Sequence, residues 1–274
     1  MNAKNRNLVV RVVSAVLLLP AVLVLLLKGG IFSCALMGLA GAICTGEYYA
    51  ITQRERSPVL IVGVAAAFAA PLLPFLDPGH VADWAFWSVA IFFVFSWAYY
   101  LLRGRLVDGP ASVAHAVTGL LYSAFAMTAL SLLRSRADGL SWVLCVLIVT
   151  WGNDSFAYFT GRMLGRRKLY PEVSPNKTWE GFIGGFVGSL LGMFIARGTF
   201  FPALSIVDCL AVGTIGGVVG PIGDLSESML KRAYQVKDSG KLIPGHGGLL
   251  DRLDALLFNT PLIFLYANFW RGNP

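Results

Sequence analysis

The sequence predicts an all-α, polytopic integral membrane protein of about nine transmembrane helices with its N-terminus on the cytoplasmic side. Three observations predict it: of 274 residues, 56% are hydrophobic and only 14% are charged, and the mean hydropathy is +0.68. A soluble domain carries about 25% charged residues. This chain lacks the polar side chains to cover an aqueous surface, so most soluble folds are excluded and lipid has to be its solvent.

A spanning helix needs about 20 mostly apolar residues. Nine stretches qualify: residues 12–28, 31–51, 58–76, 82–102, 112–133, 140–161, 181–197, 205–223 and 255–271. The first follows Lys4, Arg6 and Arg11 in the manner of a signal peptide. No small-residue cleavage site follows it and a second apolar run opens at Ile31, so a retained helix is expected. The second and eighth are the least pure, with Glu47 late in one and Asp208 early in the other. Glu47, near a helix end beside Tyr48 and Tyr49, is expected to snorkel to the interface.

With the N-terminus inside, seventeen of the 22 Lys and Arg fall on the inner side, leaving Lys28, Arg134, Arg136, Arg197 and Arg271 outside. That bias is the one the positive-inside rule selects. The formal charge of +7 is therefore mostly topological. No basic arm, aromatic-interleaved patch or helix-turn-helix pattern supports nucleic-acid binding. Cys34, Cys44, Cys145 and Cys209 sit in apolar stretches without CxxC spacing, so neither a disulfide framework nor a zinc site is readable.

Overlapping GxxxG pairs occupy the seventh span (Gly181, Gly184, Gly185, Gly188, Gly192) and the eighth (Gly213, Gly216, Gly217, Gly220). Small residues at this spacing let helix backbones approach closely. They suit a tight scaffold beneath an active site, and equally generic packing or dimerisation. Residues 1–139 are expected to be a scaffold of about five helices. Residues 140–274 are expected to form a catalytic region with two cytoplasmic polar segments, 161–180 and 224–254.

The second polar segment holds ten charges in 31 residues and the groups that phosphate chemistry needs. Asp224, Asp251 and Asp254 supply oxygen ligands for a hard cation such as Mg²⁺, and Asp251 and Asp254 share one helix face. Lys231, Arg232, Lys237, Lys241 and Arg252 can neutralise a polyphosphate. Gly245, Gly247 and Gly248 around His246 free backbone N–H groups to face phosphate oxygens. The competing reading is a solvated amphipathic loop in which Glu227 and Lys231 merely pair at i, i+4. Asp224 directly after one span and Asp251 directly before the next favour a site, because carboxylates at membrane depth are costly and usually paired or functional. Asp154 lies inside the sixth span and is read as a metal or substrate ligand or as a partner of Arg162 or Lys177.

The run Ser228, Lys231, Arg232, Lys237, Asp238, His246, Gly247, Gly248, Asp251, Arg252 and Asp254 resembles the signature of the phosphatidate cytidylyltransferase (CDP-diacylglycerol synthase) family, with no departure from it. Upstream, Asp154, Ala157, Tyr158, Gly161, Arg162, Gly165, Ser174, Pro175, Lys177, Thr178, Glu180 and Gly181 look like the family's second polar block. Before residue 140 the likeness rests on hydropathy and length alone. The resemblance implies that CTP and phosphatidic acid react to give CDP-diacylglycerol and pyrophosphate, with Mg²⁺ and room for a second cation, on the cytoplasmic side of a bacterial inner membrane. It also implies a homodimer.

On that resemblance Asp224 and Asp251 are the metal ligands, and Asp254 either ligates metal or orients Arg252. Lys231, Arg232, Lys237 and Arg252 contact the triphosphate or the departing pyrophosphate. His246, Gly247 and Gly248 form a phosphate-binding turn, with a purely structural hydrogen bond as the other reading of His246. Ser174, Lys177, Thr178 and Ser228 bind nucleotide or lipid headgroup, the other reading of the basic block around Lys177 being simple attraction to anionic lipid. A P-loop is excluded, since Asn176 and Pro171 stand where GxxxxGK[ST] needs glycine. A CTP-dependent prenol kinase or CDP-archaeol synthase shares part of this pattern. A membrane transporter is disfavoured because the charge gathers on one face and the two halves show no repeat.

Overall fold

The computed structural model describes Val16 and residues 20–53, 55, 57–242 and 247–271. The start of the first expected span, Arg54, Arg56, Gly245 and His246 lie outside the described residues. Among those described, seven helices are long and apolar enough to cross a membrane: α1 (Gly30–Thr52), α2 (Pro58–Leu76), α3 (Val81–Leu102), α4 (Gly109–Arg134), α5 (Gly139–Leu164), α6 (Trp179–Gly198) and α7 (Ile206–Ala233). Residues 20–28 are also helical, and α8 (Leu250–Leu265) runs into a single π turn, Tyr266–Trp270. The one sheet among the described residues is an antiparallel hairpin of β1 (Lys168–Tyr170) and β2 (Ser174–Thr178). The protein is an all-α, multi-pass membrane protein.

The expected spans agree with α1 to α6 within a few residues. The main difference is at α7, which runs past residue 223 to Ala233. The added stretch is rich in Leu, Met, Glu, Lys, Arg and Ala, which favour helix, so the polar segment begins as helix rather than loop. At the other end of α7, Ser205 and Asp208 close a capping box, Asp208 accepting from Ser205 N at 2.7 Å and Ser205 Oγ from Asp208 N at 3.1 Å. The acid that made this span look impure is the N3 half of its capping box.

The chain divides into two units. One gathers the described residues up to Ser135 together with those of Val236–Arg252; the other gathers Arg136–Gln235 and the described residues from Leu253. In the first, Val59, Ala67, Phe92, Tyr100, Val113, Ala116 and Leu120 form a buried core. Polar groups inside it are matched: Tyr49 donates to the Ala116 carbonyl at 2.6 Å, Thr45 and Ser123 hydroxyls meet at 2.5 Å, and Ser131 donates to the Pro71 carbonyl at 2.7 Å. Hydrocarbon offers no replacement partners, so such matching is required. Trp84, Phe86, Trp87, Ile91 and Val94 on α3 are exposed, an apolar face suited to lipid.

In the second unit the glycines of α6 and α7 are used within the chain. On α6, Gly185 faces Asn153, Gly188 faces Phe156 and the Gly152 carbonyl, and Gly192 faces Ile148, all on α5. On α7, Gly213 and Gly217 face Leu190 and Phe186 of α6, and Gly216 faces Val149 of α5. The glycine stripes therefore join α5, α6 and α7 to one another.

A Cβ on Gly188 would lie 2.6 Å from the Phe156 Cβ, whereas one on Gly198 would meet nothing within 4 Å. Gly188→Leu should lower stability by about 1–3 kcal/mol or more, as overpacking does, and Gly198→Ala should be neutral; thermal unfolding of the detergent-solubilised protein measures both.

Candidate functional site

The second unit contains a cavity of about 650 Å³, within the range of small-molecule sites. Asp154 enters from α5, Asn176, Lys177 and Thr178 from β2, and Asp224 from α7, with Ala157, Phe182 and Pro221 forming apolar wall. The local sequence explains this convergence. Pro221 has no N–H, so it cannot bond the Gly217 carbonyl one turn earlier; the Asn153 side-chain amide donates to that carbonyl at 3.5 Å instead. This repair seats α5 against α7 with Asp154 next in sequence. Across the cavity, Thr178 caps α6 by accepting from Gly181 N at 3.1 Å. Glu180 accepts from Arg166 N at 3.0 Å and Arg167 N at 3.3 Å, closing the hairpin back on the helix start. Lys177 is held just before that cap.

Lys177 Nζ pairs with Asp224 Oδ2 at 2.5 Å, and Ser228 Oγ donates to Asp224 Oδ1 at 3.4 Å. Of the two cations expected as partners of Asp154, Lys177 thus joins Asp224, and Arg162 donates to the Tyr158 hydroxyl at 2.9 Å. Asp254 lies near enough to feel Asp224, Asp154 and Lys177. A Cβ on Gly223 would strike the Asp254 carbonyl at 2.6 Å, so glycine there lets α8 close on α7 beside Asp224. Burial pushes the Asp254 carboxyl well above the usual carboxylate range; Asp224 adds to this, the Ala255 N–H opposes it, Asp154 adds again and Lys177 opposes. Among the described residues no three His, Cys, Asp or Glu side chains form a ready metal cage. Carboxylates and a cation share one pocket that can take a phosphorylated ligand.

The remaining signature residues have other surroundings. Lys231 pairs with Glu227, which is 1% exposed, so in the i, i+4 pair expected of a solvated helix face the acid is buried and the lysine half-buried. Arg232 is exposed and donates to the carbonyl of Val173, in the hairpin turn, at 3.3 Å. Ser174 opens β2, half-buried.

In the first unit, Lys237 and Arg252 are exposed. Asp251 Oδ2 accepts from Ser239 N and Ser239 Oγ at 2.9 Å each and from Gly248 N at 3.0 Å. Gly247 takes a positive φ of 87°, a conformation glycine adopts without strain, and leads into this turn. The Gly248 N–H, expected to face phosphate, is held by Asp251.

Glu47 adds to the sequence reading. Its carboxylate is engaged by the protein itself, which the expectation of a side chain reaching only for the interface did not include. Its Oε1 accepts from Leu249 N at 3.0 Å and its Oε2 from Leu250 N at 2.8 Å, and the Ser239 Oγ shared with Asp251 lies 3.0 Å from Oε2. The signal was present in the sequence as an acid inside an apolar span with no cation three or four residues away. Its partners, two hundred positions along the chain, were not readable.

The chain matches the model of the cytidylyltransferase family over residues 9–270. It is similar to proteins named phosphatidate cytidylyltransferase. One from Staphylococcus haemolyticus is 33% identical over 265 residues, 93% of this chain and 96% of that protein. Another, from Brucella abortus, is 37% identical over 269 residues, 95% and 93% respectively. A third, from Bacillus subtilis, is 48% identical over 132 residues, 48% and 49%. A match that spans nearly the whole chain, both polar blocks included, means that this protein belongs to the cytidylyltransferase family.

Proposed function

We propose that the protein is a phosphatidate cytidylyltransferase, which joins CTP and phosphatidic acid into CDP-diacylglycerol and pyrophosphate on the cytoplasmic side of a bacterial inner membrane. The observation that carries this reading is the family match over residues 9–270, together with the cavity lined by Asp154, Lys177 and Asp224. An oxygen of the lipid phosphate attacks the α-phosphorus of CTP; the new P–O bond forms as the bond to the β-phosphate oxygen breaks, and pyrophosphate leaves. Both reactants are already ionised, so the reaction needs no side-chain nucleophile and no proton relay. What it needs is screening of two anions and alignment of the attacking and leaving oxygens.

Lys177 supplies screening charge from β2, and Arg162 on α5 lines the same cavity. Mg²⁺ commonly binds through one or two carboxylates plus substrate phosphates, and the acidic set fits that mode. Asp224, with Asp254 or Asp154, would hold it, and the ion would supply charge neutralisation on the triphosphate. Asp251, paired with Asp224 as a ligand on the family pattern, is engaged by three donors, so its support for the reaction is better read as ordering its loop. A second cation remains compatible with three acids near one cavity. A homodimer would have to form on faces other than the glycine stripes, which are occupied inside the chain.

Purified protein given labelled CTP, Mg²⁺ and phosphatidic acid should form CDP-diacylglycerol and release pyrophosphate. Transfer of the γ-phosphate to a lipid alcohol would point to the prenol kinase chemistry, and use of an ether-linked archaeal lipid alone to a CDP-archaeol synthase; flux of solute without turnover would mark a transporter. Asp224→Asn should cut turnover by about 100-fold or more, and Lys177→Met by ~10–100-fold with a raised KM for CTP, the scale of losing one charge stabiliser. Both proteins should unfold at the wild-type temperature. Chelation should silence the wild type and added Mg²⁺ restore it, with Asp224→Asn needing more metal.

A further inference from the structure

We infer that Glu47 is a positioning residue for the reaction, fixing through its carboxylate, together with Asp251, the backbone from which Arg252 projects. The inference rests on the proposed reading that the signature residues serve cytidylyl transfer. Glu47 stands on α1, in the part of the chain where the sequence suggests scaffold alone. Its two oxygens take the Leu249 and Leu250 N–H groups, which at the start of α8 have no partner within the helix. A negative charge at that end is also favoured by the helix dipole.

The glycines around it point the same way. A Cβ on Gly248 would run into Ser239 Oγ and lie 2.5 Å from Glu47 Oε2, and one on Gly240 would collide with Glu47 Oε1. Two positions of the turn are therefore glycine because the Glu47 carboxylate fills the space beside them. Ser239 completes the arrangement. Its Oγ lies 3.0 Å from Glu47 Oε2 and 2.9 Å from Asp251 Oδ2, and its one hydroxyl proton can serve only one carboxylate at a time, so the hydroxyl links both acids. It also accepts from Asp251 N at 3.3 Å. Glu47, Ser239 and Asp251 form one network that sets the register of the turn.

The discriminating variant is Glu47→Gln. It keeps size but turns an amide donor toward a backbone N–H. In the full-length protein, hydrogen–deuterium exchange at residues 248–252 should speed up while global unfolding stays near wild type. Per folded molecule, kcat should fall ~10–100-fold, the scale of a small misplacement at a reacting centre, with the KM for CTP within a few-fold. Glu47→Asp should recover part of kcat, and Glu55→Gln, on an exposed ion pair with Arg105, should change nothing. Unchanged exchange at 248–252 overturns the inference. So does faster exchange with normal kcat, and so does a loss of folded protein with normal kcat per molecule. If the wild type forms no CDP-diacylglycerol, the proposed reaction fails, while the exchange result still decides whether Glu47 holds the turn.

Discussion

Hydrocarbon supplies no hydrogen bonds, and a backbone group left without a partner in it costs several kcal/mol. The rest of this structure depends on that constraint. Pro221 removes one rung from α7, and the Gly217 carbonyl thereby freed takes a donor from Asn153 on α5. A repair that lipid makes necessary thus fixes the two helices that carry Asp154 and Asp224. The glycine faces serve the same end by another route, since they let the backbones of α5, α6 and α7 approach closely around the cavity.

Much of the fold was legible because that constraint writes itself into hydropathy. Spans appear as apolar runs, and α1 to α6 end within a few residues of where those runs end. The run failed as a guide at α7, where the change at Asp224 marks a change of solvent and not of secondary structure. Asp208 misled in the opposite direction, an acid whose role is capping. For the site, the motif grouped residues by chemistry but could not say which carboxylate meets which cation. Lys177 lies 47 positions from Asp224, and no local spacing announces the pair. Glu47 was visible as an oddity and its partners were not, because tertiary packing alone brings α1 to the turn at Ser239.

The two aspartates read as a pair from the motif have unlike surroundings. Asp224 is held by side chains, an ammonium and a hydroxyl, both on rotatable arms, so its partners can be exchanged for a ligand without moving backbone. Asp251 is held largely by main-chain N–H groups, which cannot be given up without unravelling the turn. This difference separates a group suited to binding something that comes and goes from one suited to holding its own chain still.

The length of α7 also fixes a depth. Counted from Ile206, Asp224 stands about 18 residues along the helix, roughly 27 Å at 1.5 Å per residue, close to the ~30 Å thickness of the hydrocarbon layer. A helix of that length is long enough to carry a carboxylate from one boundary of the oily layer to the other. On the proposed reaction, a lipid substrate arrives by diffusing sideways in its own leaflet, its acyl chains never leaving oil. Only the nucleotide has to come from water.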